Sequence, residues 1–134
     1  MARLQWEELL VSMTHALPQP VNEETGSDGA TVLVGGDPGE VVVRLSPSSA
    51  AVFEYSVELE GRTEPVVRPI RFGGIQWRRV DGGAALKILE ALIATARESR
   101  RAKYLECRMC ETLRPPEQMH ADDECRVCSE GPEA

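Results

Sequence analysis

Hydrophobic residues recur every three to four positions in two stretches of the chain, a spacing that predicts two amphipathic helices. The first stretch covers residues 3–17, with His15 on the polar side, and Pro18 and Pro20 are expected to end it. Its apolar stripe consists of Trp6, Leu9, Leu10, Met13, Ala16 and Leu17. The second covers residues 84–103, with Asp81 or Gly82 expected as its N-cap. Its apolar stripe consists of Leu86, Leu89, Leu92, Ile93 and Ala96.

Between the two helices the apolar pattern changes to a period of two, which is typical of β-strands. Residues 18–30 are polar and rich in Gly and Pro, and are predicted to be a loop. Strands are expected at 31–34, 41–45, 53–60, 66–72 and 75–80, with turns at 35–39 and 73–74. Pro65 and Pro69 are expected to place the fourth strand at an edge or to interrupt it. In the third strand the core-facing residues are expected to be Phe53, Tyr55, Val57 and Leu59.

The four cysteines of the chain fall in two Cys-x-x-Cys pairs near its end, Cys107 with Cys110 and Cys125 with Cys128. Two such pairs, separated by fourteen residues, have the ligand spacing of a tetrahedral four-thiolate zinc site. A segment of this size buries too little apolar surface to fold unaided, so a structural Zn²⁺ is expected to stabilise it. The apolar cluster beneath the ion is expected to contain Leu105, Met109, Leu113, Met119 and Val127.

Disulfides and a redox-active pair are the competing interpretations of the same cysteines. The first eight residues include Glu7 and Glu8, at positions where a secretory signal would begin its hydrophobic segment, so we expect a cytoplasmic protein with reduced thiols. No apolar run approaches the length of a membrane span. With four thiolates present, His120 is expected to be an exposed residue of the loop, not a ligand.

The segments 104–110, 115–117, 119–120 and 125–128 together resemble the C-terminal zinc finger of small, largely uncharacterised bacterial proteins. In general form they are also similar to zinc ribbons and treble-clef fingers. The resemblance covers residues 104–128 only, and implies a four-thiolate zinc site. Treble-clef fingers place the second cysteine pair at the start of a helix. Gly131 and Pro132 follow closely here, which favours a ribbon-like or truncated finger.

The predicted fold class is therefore α+β: an antiparallel sheet of four to five strands with an N-terminal helix and a long helix after the sheet, followed by a small four-cysteine finger. Residues 1–103 are predicted to form the α+β domain and residues 104–134 a zinc-ribbon-like finger. The oligomeric state is left open, and pairing of two copies through an edge strand at 31–34 or 41–43 is one option.

Charge is unevenly distributed along the chain, whose net charge is −7. Residues 61–103 contain ten basic and four acidic residues, whereas the segments on either side are acidic. At the end of the second helix the apolar stripe gives way to Arg97 and Arg100, so this end is expected to face the zinc module, solvent or a partner. Its basic side chains are Arg97, Arg100, Arg101 and Lys103. Either they are neutralised within the chain, or they bind a partner, or they approach the thiolates.

The function expected from the sequence is a non-enzymatic interaction module that binds a protein partner, because four cysteines leave no coordination position open for substrate. The alternative is nucleic-acid binding by the basic helix end, with Arg108, Arg114 and Arg126 of the finger. Aromatic residues make up 4% of the chain, which is few for stacking on bases. A third possibility, a finger nuclease, would use His120 with Asp122 or Asp123.

Overall fold

The computed structural model describes residues 3–58 and 64–130 of the chain. Within these ranges the helices are α1 (Trp6–Ala16), α2 (Gly82–Ala102) and α3 (Arg126–Glu130). The strands of the first half are β1 (Val21–Thr25), β2 (Thr31–Gly35), β3 (Val41–Leu45), β4 (Ala50–Glu54) and β5 (Val57–Glu58). Those of the second half are β6 (Val66–Val67), β7 (Ile70–Ile75), β8 (Leu105–Glu106), β9 (Leu113–Arg114), β10 (Met119–Ala121) and β11 (Glu124–Cys125).

Within the described residues, five strands form one antiparallel sheet in the order β1-β2-β3-β4-β7. The others form two-stranded ribbons that pair β5 with β6, β8 with β9, and β10 with β11. The predicted fold class is confirmed, since a helix precedes the sheet, a long helix follows it, and the cysteines come last. Among the residues that the structure describes, no helix has the length and apolar character needed to cross a membrane.

The hydrophobic core lies between one face of this sheet and the helices α1 and α2. Both predicted helical stripes are confirmed: Leu9, Met13, Leu89 and Ile93 are buried, and the remaining stripe residues are buried or pack against the core. Asp81 caps α2 by accepting a hydrogen bond from the backbone nitrogen of Ala84 (3.4 Å), as predicted. The sheet contributes the side chains of Leu33, Val41, Val43, Leu45, Ala50 and Val52.

The predicted loop at 18–30 is wrong in part, because it contains the edge strand β1. Strand β1 pairs along its whole length with β2 through a turn around Gly29, whose φ is 85°. All of its residues after Val21 are exposed. A polar strand with both faces in water has no alternating apolar pattern, so its sequence does not differ from that of a loop.

The predicted strand at 53–60 is also wrong in its bounds and in its buried face. Strand β4 starts earlier, at Ala50, and ends at Glu54; Leu59 and Glu60 lie outside the described residues. Val52 and Glu54 face the core, whereas Phe53 lies on the opposite side and is only partly buried. The alternation of apolar residues in this segment therefore predicts the wrong face, because the face of the sheet that packs on the helices contains the buried side chain of Glu54.

The region after Pro69 differs from its prediction at two glycines. The expected turn at 73–74 lies inside β7, where a Cβ on Gly73 would contact Leu92 at 3.1 Å and one on Gly74 would lie 2.7 Å from the carbonyl oxygen of Ala50. These glycines allow close packing rather than a turn. The interruption expected at Pro69 is confirmed, since it separates β6 from β7.

The predicted strand at 75–80 is wrong as well, because Trp77–Arg79 form a 3₁₀ turn that directs Trp77 into the core. The Trp77 side chain is fully buried, and its indole nitrogen donates to the carbonyl oxygen of Ser46 at 3.0 Å. Its ring centroid lies 6.3 Å from that of Trp6 on α1. Trp77 therefore joins the β3–β4 turn to the first helix.

Replacing Trp77 with alanine should lower the free energy of unfolding by about 3–5 kcal/mol, since it leaves a large cavity and an unpaired carbonyl. The measurement is chemical denaturation followed by far-UV circular dichroism, which does not depend on the lost fluorophore. Trp77→Phe is the control and should lose less, because an aromatic ring still fills the site. Equal losses in the two variants would contradict the packing explanation.

Candidate metal centre

The four cysteine sulfurs converge on one point at the end of the chain. All four Sγ atoms of Cys107, Cys110, Cys125 and Cys128 lie within 4.8 Å of one another. The distance between Sγ of Cys110 and Sγ of Cys125 is 3.9 Å, and all four thiols are free. A tetrahedral ion with metal–sulfur bonds of about 2.3 Å places its sulfurs about 3.8 Å apart. The donor set and its spacing therefore fit a tetrahedral metal ion.

Two hairpins position these sulfurs. The first cysteine pair lies in the loop of the β8–β9 hairpin, where the backbone nitrogen of Cys107 donates to Thr112 (3.0 Å) and that of Glu111 donates to Cys107 (2.7 Å). Glu111 adopts a φ of 58°, a left-handed conformation that reverses the chain directly after Cys110. Cys125 ends the second hairpin, β10–β11, and its backbone nitrogen donates to the Cys107 sulfur at 3.4 Å. Hydrogen bonds thus connect the two hairpins at the sulfurs.

Helix α3 begins directly after Cys125 and contains Cys128 in its first turn. The sequence favoured a ribbon-like or truncated finger because no helix was expected at the second cysteine pair, and α3 contradicts that reason. The sequence pointed away from a helix because of Gly131 and Pro132, which lie outside the described residues. A helix of five residues is too short to show the apolar period that sequence analysis relies on.

The four thiols have different surroundings. Cys107 and Cys125 are fully buried, Cys128 is partly buried and Cys110 is exposed. Hydrogen bonds from Thr112 lower the pKa of Cys110 to about 6. Hydrogen bonding to Cys125 and burial raise the pKa of Cys128 to about 12. Since a thiol must lose its proton to bind a metal ion, metal binding by these cysteines is coupled to release of protons.

Arg114, on β9, is the basic residue that lies beside the sulfurs. The neighbouring Cys110 sulfur, hydrogen-bonded to the guanidinium, raises the pKa of Arg114. Its Nη1 donates to Oε1 of Gln118 at 3.4 Å, and its buried Nε has no partner among the described residues. Approach to the thiolates was one of three alternatives that the sequence left open for the arginines of the second helix, and the structure instead places Arg114 of the finger near the sulfurs.

The basic end of α2 instead binds carboxylates of the sheet. Arg97 and Arg101 each lie 3.2 Å from Oε1 of Glu40, in the β2–β3 turn. Lys103 lies 2.7 Å from Oε2 of Glu54, whose other oxygen accepts from Ser99 at 2.5 Å. Both glutamates are buried, whereas the three cations are about half exposed. Neutralisation within the chain is thus what the structure shows, and partner binding by these cations stays a prediction.

Arg100 is the exception among these cations because it is buried, with 2% of its side chain exposed. Its Nε donates to the carbonyl oxygen of Gly39 at 3.0 Å, and its guanidinium lies 5.2 and 5.3 Å from the ring centroids of Tyr55 and Tyr104. Its two terminal nitrogens donate to the two oxygens of Glu117 at 3.2 and 2.6 Å. Glu117 belongs to the segment between the two cysteine pairs, so this bidentate pair links α2 to the finger. Sequence analysis did not identify Glu117.

The apolar cluster expected beneath the ion is smaller than predicted. The buried cluster consists of Cys107, Met119 and Cys125, with Leu105 and Cys128 packed against it. Met109, Leu113 and Val127 are instead exposed, by 64, 55 and 64%. The buried interior of the finger is therefore formed mainly by sulfur-containing side chains.

His120 is exposed, as predicted, although it lies on strand β10 and not in a loop. It lines a shallow depression of about 190 Å³ together with Met119, Arg126 and Ser129. Asp122 and Asp123 are exposed beside it in sequence, and Asp123 lies 3.7 Å from Arg108. His120 is not part of the metal-ligand group found among the described residues.

Comparison of the chain with protein-family models, with curated proteins and with solved structures finds no match. The metal centre is therefore supported by its own geometry: four free thiols on two hairpins and a short helix, within reach of one ion.

Proposed function

We propose that the protein is a non-enzymatic interaction module whose C-terminal finger is held by one structural Zn²⁺. The observation that supports this most directly is the convergence of four sulfurs within 4.8 Å. Four thiolates complete the tetrahedral shell that zinc prefers, so neither water nor substrate has a position on the ion. The order of hairpin, hairpin and helix corresponds to the treble-clef arrangement more closely than to a ribbon.

The proposed ligands are Cys107, Cys110, Cys125 and Cys128, and the Arg114 guanidinium would offset part of their charge. Reduced thiols are required for this site, and cytoplasmic conditions would keep them reduced. The exposed position of His120, outside the ligand group, favours structure over catalysis.

We further propose a protein partner that contacts the exposed apolar residues of the finger, Met109, Leu113 and Val127. Each of these side chains is more than half exposed, although the finger buries few apolar side chains. Apolar residues left in water are candidates for contact with a partner. A protein partner is favoured over nucleic acid because the basic end of α2 is already paired with Glu40, Glu54 and Glu117.

Metal content tests the zinc site. Purified under reducing conditions, the full chain should contain one zinc per chain by plasma mass spectrometry. A strong chelator should remove it and should also abolish the dispersed amide NMR signals of residues 105–128. Absence of stoichiometric zinc, together with a finger that stays ordered in the chelator, would refute the structural role.

Surface variants test the partner. Tagged full-length protein would be recovered from the cells that produce it, and the proteins that accompany it would be compared between variants with verified zinc content. A triple variant, M109S/L113S/V127S, should lose the partner. The control V11S/I88S changes two exposed apolar residues on α1 and α2 and should retain it. If the control loses the partner and the triple variant retains it, the partner contacts the helices and not the finger.

A further inference from the structure

The segment between the two cysteine pairs carries two charged side chains, three residues apart, that contact different parts of the molecule. Arg114 lies beside the sulfurs of Cys110 and Cys125. Glu117, in the 3₁₀ turn Pro116–Gln118, binds Arg100 of α2 through both carboxylate oxygens. One short segment thus touches both the metal centre and the long helix.

Arg100 depends on this contact. It is almost fully buried, and among the described residues Glu117 is the only carboxylate within salt-bridge distance of it. A buried guanidinium that loses its carboxylate keeps the desolvation cost of its charge without the compensating attraction. The carbonyl of Gly39 and the rings of Tyr55 and Tyr104 remain, but none of them carries a negative charge.

Glu117 in turn depends on the finger for its position. The turn that carries it is held between the β8–β9 and β10–β11 hairpins, whose sulfurs converge. The finger's own buried cluster is small, so its order requires the ion. Without metal, the turn is no longer fixed and the carboxylate can leave Arg100 for water.

We propose that metal binding in the finger and ordering of the C-terminal segment of α2, residues 97–102, form one coupled equilibrium transmitted by the Arg100–Glu117 pair. This inference rests on the zinc site of the proposed function. Loss of the ion removes the carboxylate from Arg100, and the helix then frays to expose the guanidinium. Because coupling between two equilibria is reciprocal, the pair must also strengthen zinc binding by the same factor.

Hydrogen–deuterium exchange of the unmodified full chain tests the first half of the proposal. With zinc bound, the amides of residues 97–102 should be protected, and after removal of zinc by a chelator they should exchange at least about fivefold faster. Amides in the first half of α2, residues 85–92, are the internal control and should keep their protection. Removal of zinc that leaves 97–102 as protected as before would overturn the coupling.

Glu117→Gln tests the second half, with Asp122→Asn as the matched control. Both variants remove one negative charge from the finger, but Asp122 is exposed and forms no ion pair with α2 among the described residues, whereas Glu117 pairs with Arg100. E117Q should weaken zinc binding between about five- and 150-fold in a competition titration, the usual range of coupling between sites. In this variant, residues 97–102 should exchange quickly with or without zinc. D122N should bind zinc within about twofold of the wild type.

The two proposals fail differently in these experiments. If the wild-type chain binds no stoichiometric zinc, the structural site itself is refuted. If it binds zinc, but E117Q and D122N have the same affinity, the site stands and the coupling through Glu117 is refuted.

Discussion

Replacing Cys125 with serine should abolish stoichiometric zinc binding and unfold the finger. Cys125 is fully buried, its sulfur lies 3.9 Å from that of Cys110, and its backbone nitrogen donates to Cys107. A serine hydroxyl stays protonated at neutral pH and is a poor zinc ligand. Because binding of structural zinc contributes about 10–16 kcal/mol in finger peptides, weakening it should remove most of what stabilises this segment.

The measurement for C125S is zinc content after dialysis, combined with amide NMR of residues 105–128. Met109→Ser is the control, since this residue lies inside the first cysteine pair but is exposed and outside the buried cluster. It should retain one zinc per chain. A C125S protein that binds equimolar zinc as tightly as the wild type would show that the four sulfurs do not act as one site.

Replacing Arg100 with methionine should lower the free energy of unfolding of the zinc-bound protein by about 3–5 kcal/mol, because it leaves Glu117 facing a buried position without its cation. The double variant R100M/E117M should recover most of this loss. Removal of both charges takes away the desolvation cost together with the attraction, and apolar side chains can fill the space. Denaturant unfolding of both variants at saturating zinc measures the difference.

Arg101→Met is the matched control on the same helix. Arg101 is half exposed, and Glu40 keeps Arg97 as a second cation, so the expected loss is below about 1 kcal/mol. If R100M lowers the free energy of unfolding no more than R101M does, the buried Arg100–Glu117 pair stabilises the protein as little as a surface ion pair. A double variant less stable than R100M alone would show instead that Glu117 stabilises the protein through some contact other than Arg100.

The parts of the fold that sequence analysis predicted well are those with a local cause. The α1 and α2 stripes follow from a period of 3.6 residues, and Asp81 caps the start of α2 by accepting a hydrogen bond from a residue three positions away. The two Cys-x-x-Cys pairs follow from the reach of a short turn. Each needs only a few neighbouring residues, so each is visible in the linear sequence.

The errors have non-local causes. Glu54 is charged yet buried, because Ser99 and Lys103 reach it from the far end of α2. Its burial inverts the face of β4 that the alternation of Phe53 and Tyr55 suggested. Trp77 does not continue the expected strand, because its indole nitrogen donates a hydrogen bond to the carbonyl oxygen of Ser46, 31 residues earlier in the sequence. No pattern within a window of neighbouring residues contains these partners.

The sequence by itself determined that this chain has an α+β fold and ends in four thiols able to share one ion, since period and spacing are local quantities. Only the tertiary structure decided which groups neutralise the basic side chains of the second helix: they are the carboxylates of Glu40, Glu54 and Glu117, and not the thiolates. The physical reason is that a buried charge is stable only beside an opposite one, and here folding brings those partners together from 17 to 61 residues away.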